Sequence, residues 1–142
     1  MEQSLSDLGK YAKINMICSD KSLHPALTID AFKAFCSDNS ICCSVIGKVK
    51  EFTAVRGEVY ITTNDNDMVL VLKSCKEQNF QIGCDVGIIS YNDTPMKEFV
   101  AGGITTISAD FSAMACQAAR FATTKHKVQH FEPAHLIKRN SL

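Results

Sequence analysis

The sequence has no excess of charge and no apolar run long enough to cross a bilayer. In its 142 residues, 15 lysines and arginines balance 15 aspartates and glutamates. A neutral chain lacks the broad basic surface by which proteins hold nucleic acid or an anionic membrane. The first 13 residues also lack the apolar core of a secretory signal. We therefore expect a cytoplasmic protein with no membrane association.

Motifs for catalysis and for metal binding are missing as well. No CxxC pair is present, no serine or cysteine lies in a nucleophile elbow, and no glycine-rich phosphate loop precedes a predicted helix. His126 and His130 have the helical spacing of zinc ligands, with Glu132 beyond them, but they lie in a polar stretch typical of a solvated connector. We expect no enzyme activity, no metal and no cofactor.

The seven cysteines do not form the pattern of a disulfide framework. Their number is odd, and most lie in apolar segments, where free cysteine packs as a small hydrophobic residue. This distribution is typical of a reduced, cytosolic protein.

Strands alternate with helices along the chain. This alternation predicts one α/β domain with a three-layer, mostly parallel sheet and helices on both faces. The run 41–47 is apolar apart from Ser44, which is typical of a strand covered on both faces. Predicted strands cover 12–19, 41–47, 57–64, 85–91, 104–108 and 134–141; predicted helices cover 24–39, 67–78 and 110–125, with a short helix in 94–103 and a helical turn or two within 48–56.

The last long helix is apolar on nearly every side. Phe111, Met114, Ala118 and Phe121 make one stripe, and alanines and Cys116 occupy much of the remainder. A helix of this kind needs partners on two sides. We therefore expect residues 111–133 to pack on a second lobe or on a partner chain.

Polar side chains follow two predicted strands at the point where each strand ends. "TNDND" (63–67) follows the third strand, and "YNDTP" (91–95) ends the fourth. Ligands of open parallel sheets bind beyond the carboxyl ends of the strands. Amides donate and accept hydrogen bonds and carboxylates accept them, so these groups suit the hydroxyls of a polyol.

Helix capping is the alternative interpretation of the same residues. Asp, Asn and Thr are preferred at helix N-caps, so Asp65 or Asn66 could cap the helix that follows. Thr94 could cap a helix whose first residue is Pro95. Capping and ligand binding can coexist in one motif. Tyr91 could stack on a ligand ring or could belong to the core.

The segment from Tyr60 to Ala119 resembles the effector-sensing domain of LacI-type transcriptional regulators. The similarity rests on "ND" after one strand, "GCDVGIISYNDTP", "ITTISADF" and "MACQAA", which follow in the family's order. The final "HLIKRNSL" is similar to the closing strand of the family, and residues 12–46 match more weakly. GntR-type regulators that carry the same sensor are similar too.

The resemblance implies a periplasmic-binding-protein-like fold, with two α/β lobes and a ligand between them. The chain would be the C-terminal lobe of a homodimeric regulator. We expect the N-terminal lobe and the DNA-binding domain to be absent, so that DNA is reached only through a domain outside this chain. The expected effector is a sugar or a sugar phosphate.

The resemblance also implies roles for single residues. Asn64 and Asn92 match the positions that face ligand, whereas Asp93 and Thr94 match more structural positions. Thr28 stands where the family often has a sugar-binding arginine, and Ala31 and Phe32 replace its Gly-Phe. The predicted ligand-binding residues are Thr28, Asn64, Asp65, Tyr91, Asn92 and Asp93.

We therefore interpret the sequence as the effector-sensing and dimerisation lobe of a cytoplasmic transcriptional regulator. The alternative is the sugar-binding component of a transport system, which shares the fold, although seven cysteines and no visible export signal count against it. An enzyme of flavodoxin-like architecture is a third possibility. The absence of a nucleophile motif and of a phosphate loop from the sequence counts against such an enzyme.

Overall fold

The computed structural model describes residues 5–18, 26–47, 51–124, 129 and 131–142. Residues 24 and 25 of the first predicted helix lie outside these ranges, as do His126 and His130.

Within these ranges, six strands form one sheet in the order β2-β1-β3-β4-β5-β6. Every neighbouring pair is parallel except the last, in which β6 runs antiparallel to β5. The predicted fold class, a mostly parallel α/β sheet, is confirmed. The strands are β1 (Lys13–Ile17), β2 (Cys43–Ile46), β3 (Glu58–Thr62), β4 (Gly87–Tyr91), β5 (Thr105–Ala109) and β6 (Ala134–Ile137).

The described residues form five α-helices, of which the first precedes β1 and the other four connect strands. They are α1 (Leu5–Leu8), α2 (Ala26–Asp38), α3 (Asp65–Glu77), α4 (Pro95–Phe99), which continues into a 3₁₀ turn at Val100–Gly102, and α5 (Phe111–Thr124). The sequence did not predict α1, a single turn too short to show apolar periodicity. Among the described residues, no helix combines the length and the apolar character needed to cross a membrane.

The helical turn predicted within 48–56 is not found in its described part, residues 51–56. Side chains from elsewhere hold this segment in another conformation. The Ala54 N–H donates to Ser74 Oγ at 2.8 Å, and the Val55 N–H donates to the Tyr60 hydroxyl at 2.9 Å. Bonds of this kind satisfy the backbone donors that a helix would have paired.

Apolar side chains form a core on each face of the sheet. Successive residues of a strand point to opposite faces, so Val59 and Ile61 pack with α1 and α2 on one side. Tyr60, from between them, packs with α3 on the other side. All three side chains are at most 1% exposed. The sheet therefore lies between two helical layers, as predicted.

The strand β2 differs from its prediction. We expected its apolar run to be covered on both faces, but all four residues are only half-buried. β2 lies at the edge of the sheet and pairs only with β1. An apolar run cannot by itself distinguish an edge strand from a central one, because that depends on the order of the strands.

None of the residues of α5 is buried. Its largest apolar side chains, Phe111, Met114 and Phe121, are 51%, 46% and 51% exposed. The helix therefore presents an apolar surface that the described part of the chain does not cover.

The C-terminal segment closes the amino ends of β4 and β5. Ser141 Oγ donates to the carbonyl of Ile88 at 2.6 Å and accepts from the N–H of Thr105 at 2.7 Å. The Ser141 carbonyl accepts from the Ile88 N–H at 2.8 Å. Gly83, at φ +84°, lets the tail approach, since a Cβ there would lie 2.0 Å from the Asn140 carbonyl oxygen.

We predict that Ser141→Ala lowers the free energy of unfolding by about 1–3 kcal/mol, because it leaves the buried Thr105 N–H without an acceptor. Urea unfolding followed by circular dichroism measures this loss. Ser37→Ala, which removes a hydroxyl from an exposed position on α2, is the matched control. Equal effects of the two substitutions would contradict the assigned role of Ser141.

Candidate functional site

The two polar motifs meet at the carboxyl edge of the sheet. β3 and β4 are neighbouring parallel strands, and Thr62 lies opposite Ser90. Asn64 and Asn92 each follow that pair by two residues, so both lie beyond the same end of the sheet. The edge position predicted from the sequence is thus present.

Asn64 is the N-cap of α3. Its Oδ1 accepts from the backbone N–H of Asp67 at 2.9 Å, and its Nδ2 donates to Asp67 Oδ2 at 2.6 Å. The expectation that Asp65 or Asn66 caps this helix was wrong, because the helix begins at Asp65. Asn64 remains half-buried rather than sealed, so capping leaves part of the side chain at the edge.

Lys97 joins the two motifs, a role that the sequence did not predict. Its Nζ donates to the carbonyls of Tyr91 and Asn92 at 2.8 and 2.7 Å. It also forms a 2.9 Å ion pair with Asp65. The residue is only 1% exposed. A lysine in a short helix gives no signal of burial, because one of its partners, Asp65, comes from the end of a neighbouring strand.

Asn92 occupies a turn that exposes its side chain. Its φ is +61°, in the left-handed region, which asparagine tolerates better than most residues. Its N–H donates to the Ile107 carbonyl at 2.9 Å, and its own carbonyl accepts from Lys97. The backbone is therefore fixed at both polar groups while the amide side chain faces solvent.

Asp93 pairs with Arg139 of the C-terminal segment. Both carboxylate oxygens accept from the guanidinium, at 2.7 and 2.8 Å, and Oδ1 also accepts from the Thr106 hydroxyl at 3.0 Å. These hydrogen bonds from Arg139 hold the pKa of Asp93 below its ordinary value of 3.8. The contacts give Asp93 a structural role.

Thr94 stands at the N-cap of α4, with Pro95 as the first helical residue, as the capping interpretation predicted. Its side chain makes no capping hydrogen bond. The hydroxyls of Thr94 and Ser90 are buried without a hydrogen-bond partner within the described chain.

Thr28 and Tyr91 lie in an apolar groove of about 910 Å³ on the α2 face of the sheet. Burial raises the pKa of Tyr91. Asn64, Asp65, Asn92 and Asp93 do not line this groove, so the predicted residues form two groups, joined at the main chain of Tyr91 and Asn92. The lining residues are Met16, Leu27, Thr28, Ala31, Phe32, Phe35, Tyr91, Ile107, Phe131, Ala134, His135 and Leu136.

The sequence of the chain matches a known family over most of its length. Residues 10–142 match the periplasmic binding protein-like domain, and the chain belongs to that family. Curated protein sequences gave no significant match.

Several solved regulators share the fold. The Lac repressor bound to ONPG in its repressed state has a TM-score of 0.68 and 15% identity over 99% of this chain. A periplasmic binding protein/LacI transcriptional regulator from Alkaliphilus metalliredigens, complexed with D-xylulofuranose, has a TM-score of 0.74 and 17% identity over 98%. A LacI family regulator from Bifidobacterium animalis subsp. lactis has a TM-score of 0.74 and 19% identity over 99%.

The chain spans 48%, 59% and 58% of the lengths of these three structures, respectively. At such sequence identities, the similarity shows a common fold; it does not show a common ligand or role.

We predict that Asn64→Ala lowers the free energy of unfolding by about 1 kcal/mol, because the first turn of α3 loses its cap. Asn64→Ser keeps a capping oxygen and should recover most of the loss. Thermal unfolding of both variants tests this. Equal melting temperatures for Asn64→Ala and the wild type would show that the cap contributes nothing.

The ion pair of Asp93 predicts a loss of stability in acid. The pKa of Asp93 is lower in the folded state. The stabilisation that its carboxylate provides is therefore fully present above the ordinary pKa of 3.8, and it is lost as the pH falls through the pKa of the folded state. Asp93→Asn should lower the free energy of unfolding by roughly 2 kcal/mol at pH 7. It should also make the decline of that free energy between about pH 5 and pH 2 less steep. Urea unfolding across this range measures both effects.

Asp30→Asn is the control for this prediction, since Asp30 is an exposed carboxylate on α2. If the free energy of unfolding falls as steeply in acid for Asp93→Asn as for the wild type, the Asp93 ion pair does not cause the loss of stability.

Proposed function

We propose that the chain is the C-terminal effector-sensing lobe of a transcriptional regulator, and that a hydroxyl-rich small molecule binds at the carboxyl edge of its sheet. Membership of the periplasmic binding protein-like family supports this. Solved structures of the same fold include regulators bound to ONPG and to D-xylulofuranose.

The observation that carries the proposal is the fixed pairing of the two strand ends. In the register of β3 and β4, Asn64 and Asn92 each follow the paired residues Thr62 and Ser90 by two positions. Lys97 holds both strand ends through Asp65 and the Asn92 carbonyl. An edge so constrained presents amide and carboxylate groups in a preorganised arrangement. Preorganisation lowers the entropic cost of gripping a flexible polyol.

The uncovered helix supports the presence of a second lobe. α5 follows β5 directly, has no buried residue and exposes apolar side chains. A second apolar groove of about 570 Å³ lies beside it, lined by Ala109, Met114, Gln117, Ala118, Phe121, Phe131 and Glu132. An apolar surface of this kind marks a site for a protein neighbour.

The proposed mechanism is closure of two lobes around the effector. A ligand shifts such an equilibrium only by its difference in affinity for the two states. Closure would alter the geometry of a homodimer and of the DNA-binding domains attached to it. In this reading the protein is cytoplasmic and performs no catalysis, and it contacts DNA only through a domain outside this chain.

We predict that Asn92→Gly weakens effector binding about 2- to 12-fold, because it removes one hydrogen bond of about 0.5–1.5 kcal/mol. Stability should change little. Glycine adopts the left-handed φ of +61° without strain. Calorimetric titration of the intact protein with a panel of uncharged sugars measures affinity. A thermal melt reports stability.

Asn79→Gly is the matched control, because Asn79 is also exposed and has φ +55° but lies at the end of α3 distant from the site. If Asn92→Gly melts early and its affinity per folded molecule stays normal, Asn92 is structural and the proposed site fails.

A further inference from the structure

We propose that Cys36 and Cys43 form a redox-active thiol pair, which a hydroperoxide converts into a disulfide between α2 and β2. Both cysteines are free in the structure. One lies in the last turn of α2 and the other is the first residue of β2, so the fold brings them together at the amino end of the sheet. The proposal goes beyond the proposed function and does not depend on the effector site.

The direction of the Cys43 side chain follows from the alternation of residues along the strands. The next residue, Ser44, donates from its Oγ to Asn15 Oδ1 at 2.6 Å. Ile14 and Met16, on either side of Asn15, belong to the core on the α2 face of the sheet. Because successive strand residues point to opposite faces, Ser44 points away from α2. Cys43 therefore points toward α2, and it packs against that core.

Cys36 reaches the same core from the helix above. It is 1% exposed. The helix ends in a tight turn, in which the Ile41 N–H donates to the Cys36 carbonyl at 2.8 Å and Ser40 has φ +55°. This turn folds the chain back, so that β2 begins below the last turn of α2. The thiol of Cys36 is hydrogen-bonded to that of Cys43.

The two thiols differ in their access to solvent, which assigns them different roles. Cys43 is half-buried, because β2 lies at the edge of the described sheet, so a small oxidant can reach its sulfur. Burial raises the pKa of Cys36 to about 12, and the hydrogen bond with Cys43 adds to the rise. A thiol that stays protonated is a poor nucleophile toward an oxidant. Cys43 therefore reacts first, and Cys36 resolves the product.

The reaction consumes one hydrogen peroxide for each pair. The Cys43 sulfur attacks a peroxide oxygen, the O–O bond breaks, and Cys43 becomes a sulfenic acid as one water leaves. The Cys36 sulfur then attacks the Cys43 sulfur. The S–S bond forms, the S–O bond breaks, and the hydroxide leaves as water with the Cys36 proton. The two thiols thus lose two electrons and two protons to the peroxide, and an external dithiol reverses the change.

Cys42 is the competing thiol and also the matched control. It precedes Cys43 directly, it is exposed, and its carbonyl accepts from the Ile14 N–H at 2.9 Å, so the extended ladder includes it. Neighbouring residues of an extended chain point to opposite faces. Cys42 is therefore directed away from the Cys36 thiol, although it is the more accessible of the two adjacent cysteines.

The test is treatment of the full chain with hydrogen peroxide, followed by N-ethylmaleimide labelling, trypsin digestion and tandem mass spectrometry. Trypsin cleaves after Lys33 and Lys48, so one peptide, 34–48, carries all three cysteines. We expect this peptide to lose two labels, to contain a disulfide between Cys36 and Cys43, and to keep its single label on Cys42. Dithiothreitol before labelling should restore three labels.

Cys43→Ser should abolish the disulfide and leave both Cys36 and Cys42 labelled. Cys42→Ser should form the disulfide to the same extent as the wild type. A thermal melt verifies that both variants are folded. In the urea-unfolded chain the oxidation should be distributed over all three cysteines, because nothing then directs Cys42 away from Cys36.

The order of the two steps is tested with dimedone, which traps sulfenic acids. In Cys36→Ala, peroxide should give a dimedone adduct on Cys43. If that variant does not fold, brief oxidation of the wild type with dimedone present decides the same point, since an adduct on Cys36 would contradict the order. Three labels retained after peroxide, a disulfide that uses Cys42, or the same selectivity in the unfolded chain would overturn the proposal.

Discussion

A buried ammonium group organises the carboxyl edge of this sheet. Removing a cation from water is costly unless it is paired and hydrogen-bonded, and Lys97 meets both conditions through two carbonyls and Asp65. Satisfying that charge fixes the turn after β4, including the left-handed backbone of Asn92. The exposure of the Asn92 amide follows from the same constraint.

The second ion pair connects this edge with the end of the chain. Arg139 follows β6 and binds Asp93, so the loop after β4 is held to the segment that also closes β4 and β5 through Ser141. Positioning and electrostatics are therefore coupled. The groups that fix the backbone of the site also neutralise Lys97 and Arg139.

The fold presents two different surfaces side by side. The polar edge carries Asn64 and Asn92, while the groove beside α2 and the exposed stripe of α5 are apolar. The chain covers 48%, 59% and 58% of the three solved structures compared with it. A second lobe would cover α5 and would complete a cleft over the polar edge, so both surfaces have one explanation under the proposed function.

The sequence alone determined the features that arise within short stretches of chain. Alternating apolar strands and helices predicted the parallel sheet, and "TNDND" and "YNDTP" predicted polar strand ends, because periodicity and strand ends are local properties. Tertiary structure decided the rest. The order of the strands places β2 at the edge of the sheet. Asp93 pairs with Arg139, which lies 46 residues away in the sequence. Burial of Lys97 depended on two neighbouring strand ends meeting around one ammonium, and no local pattern encodes such a meeting.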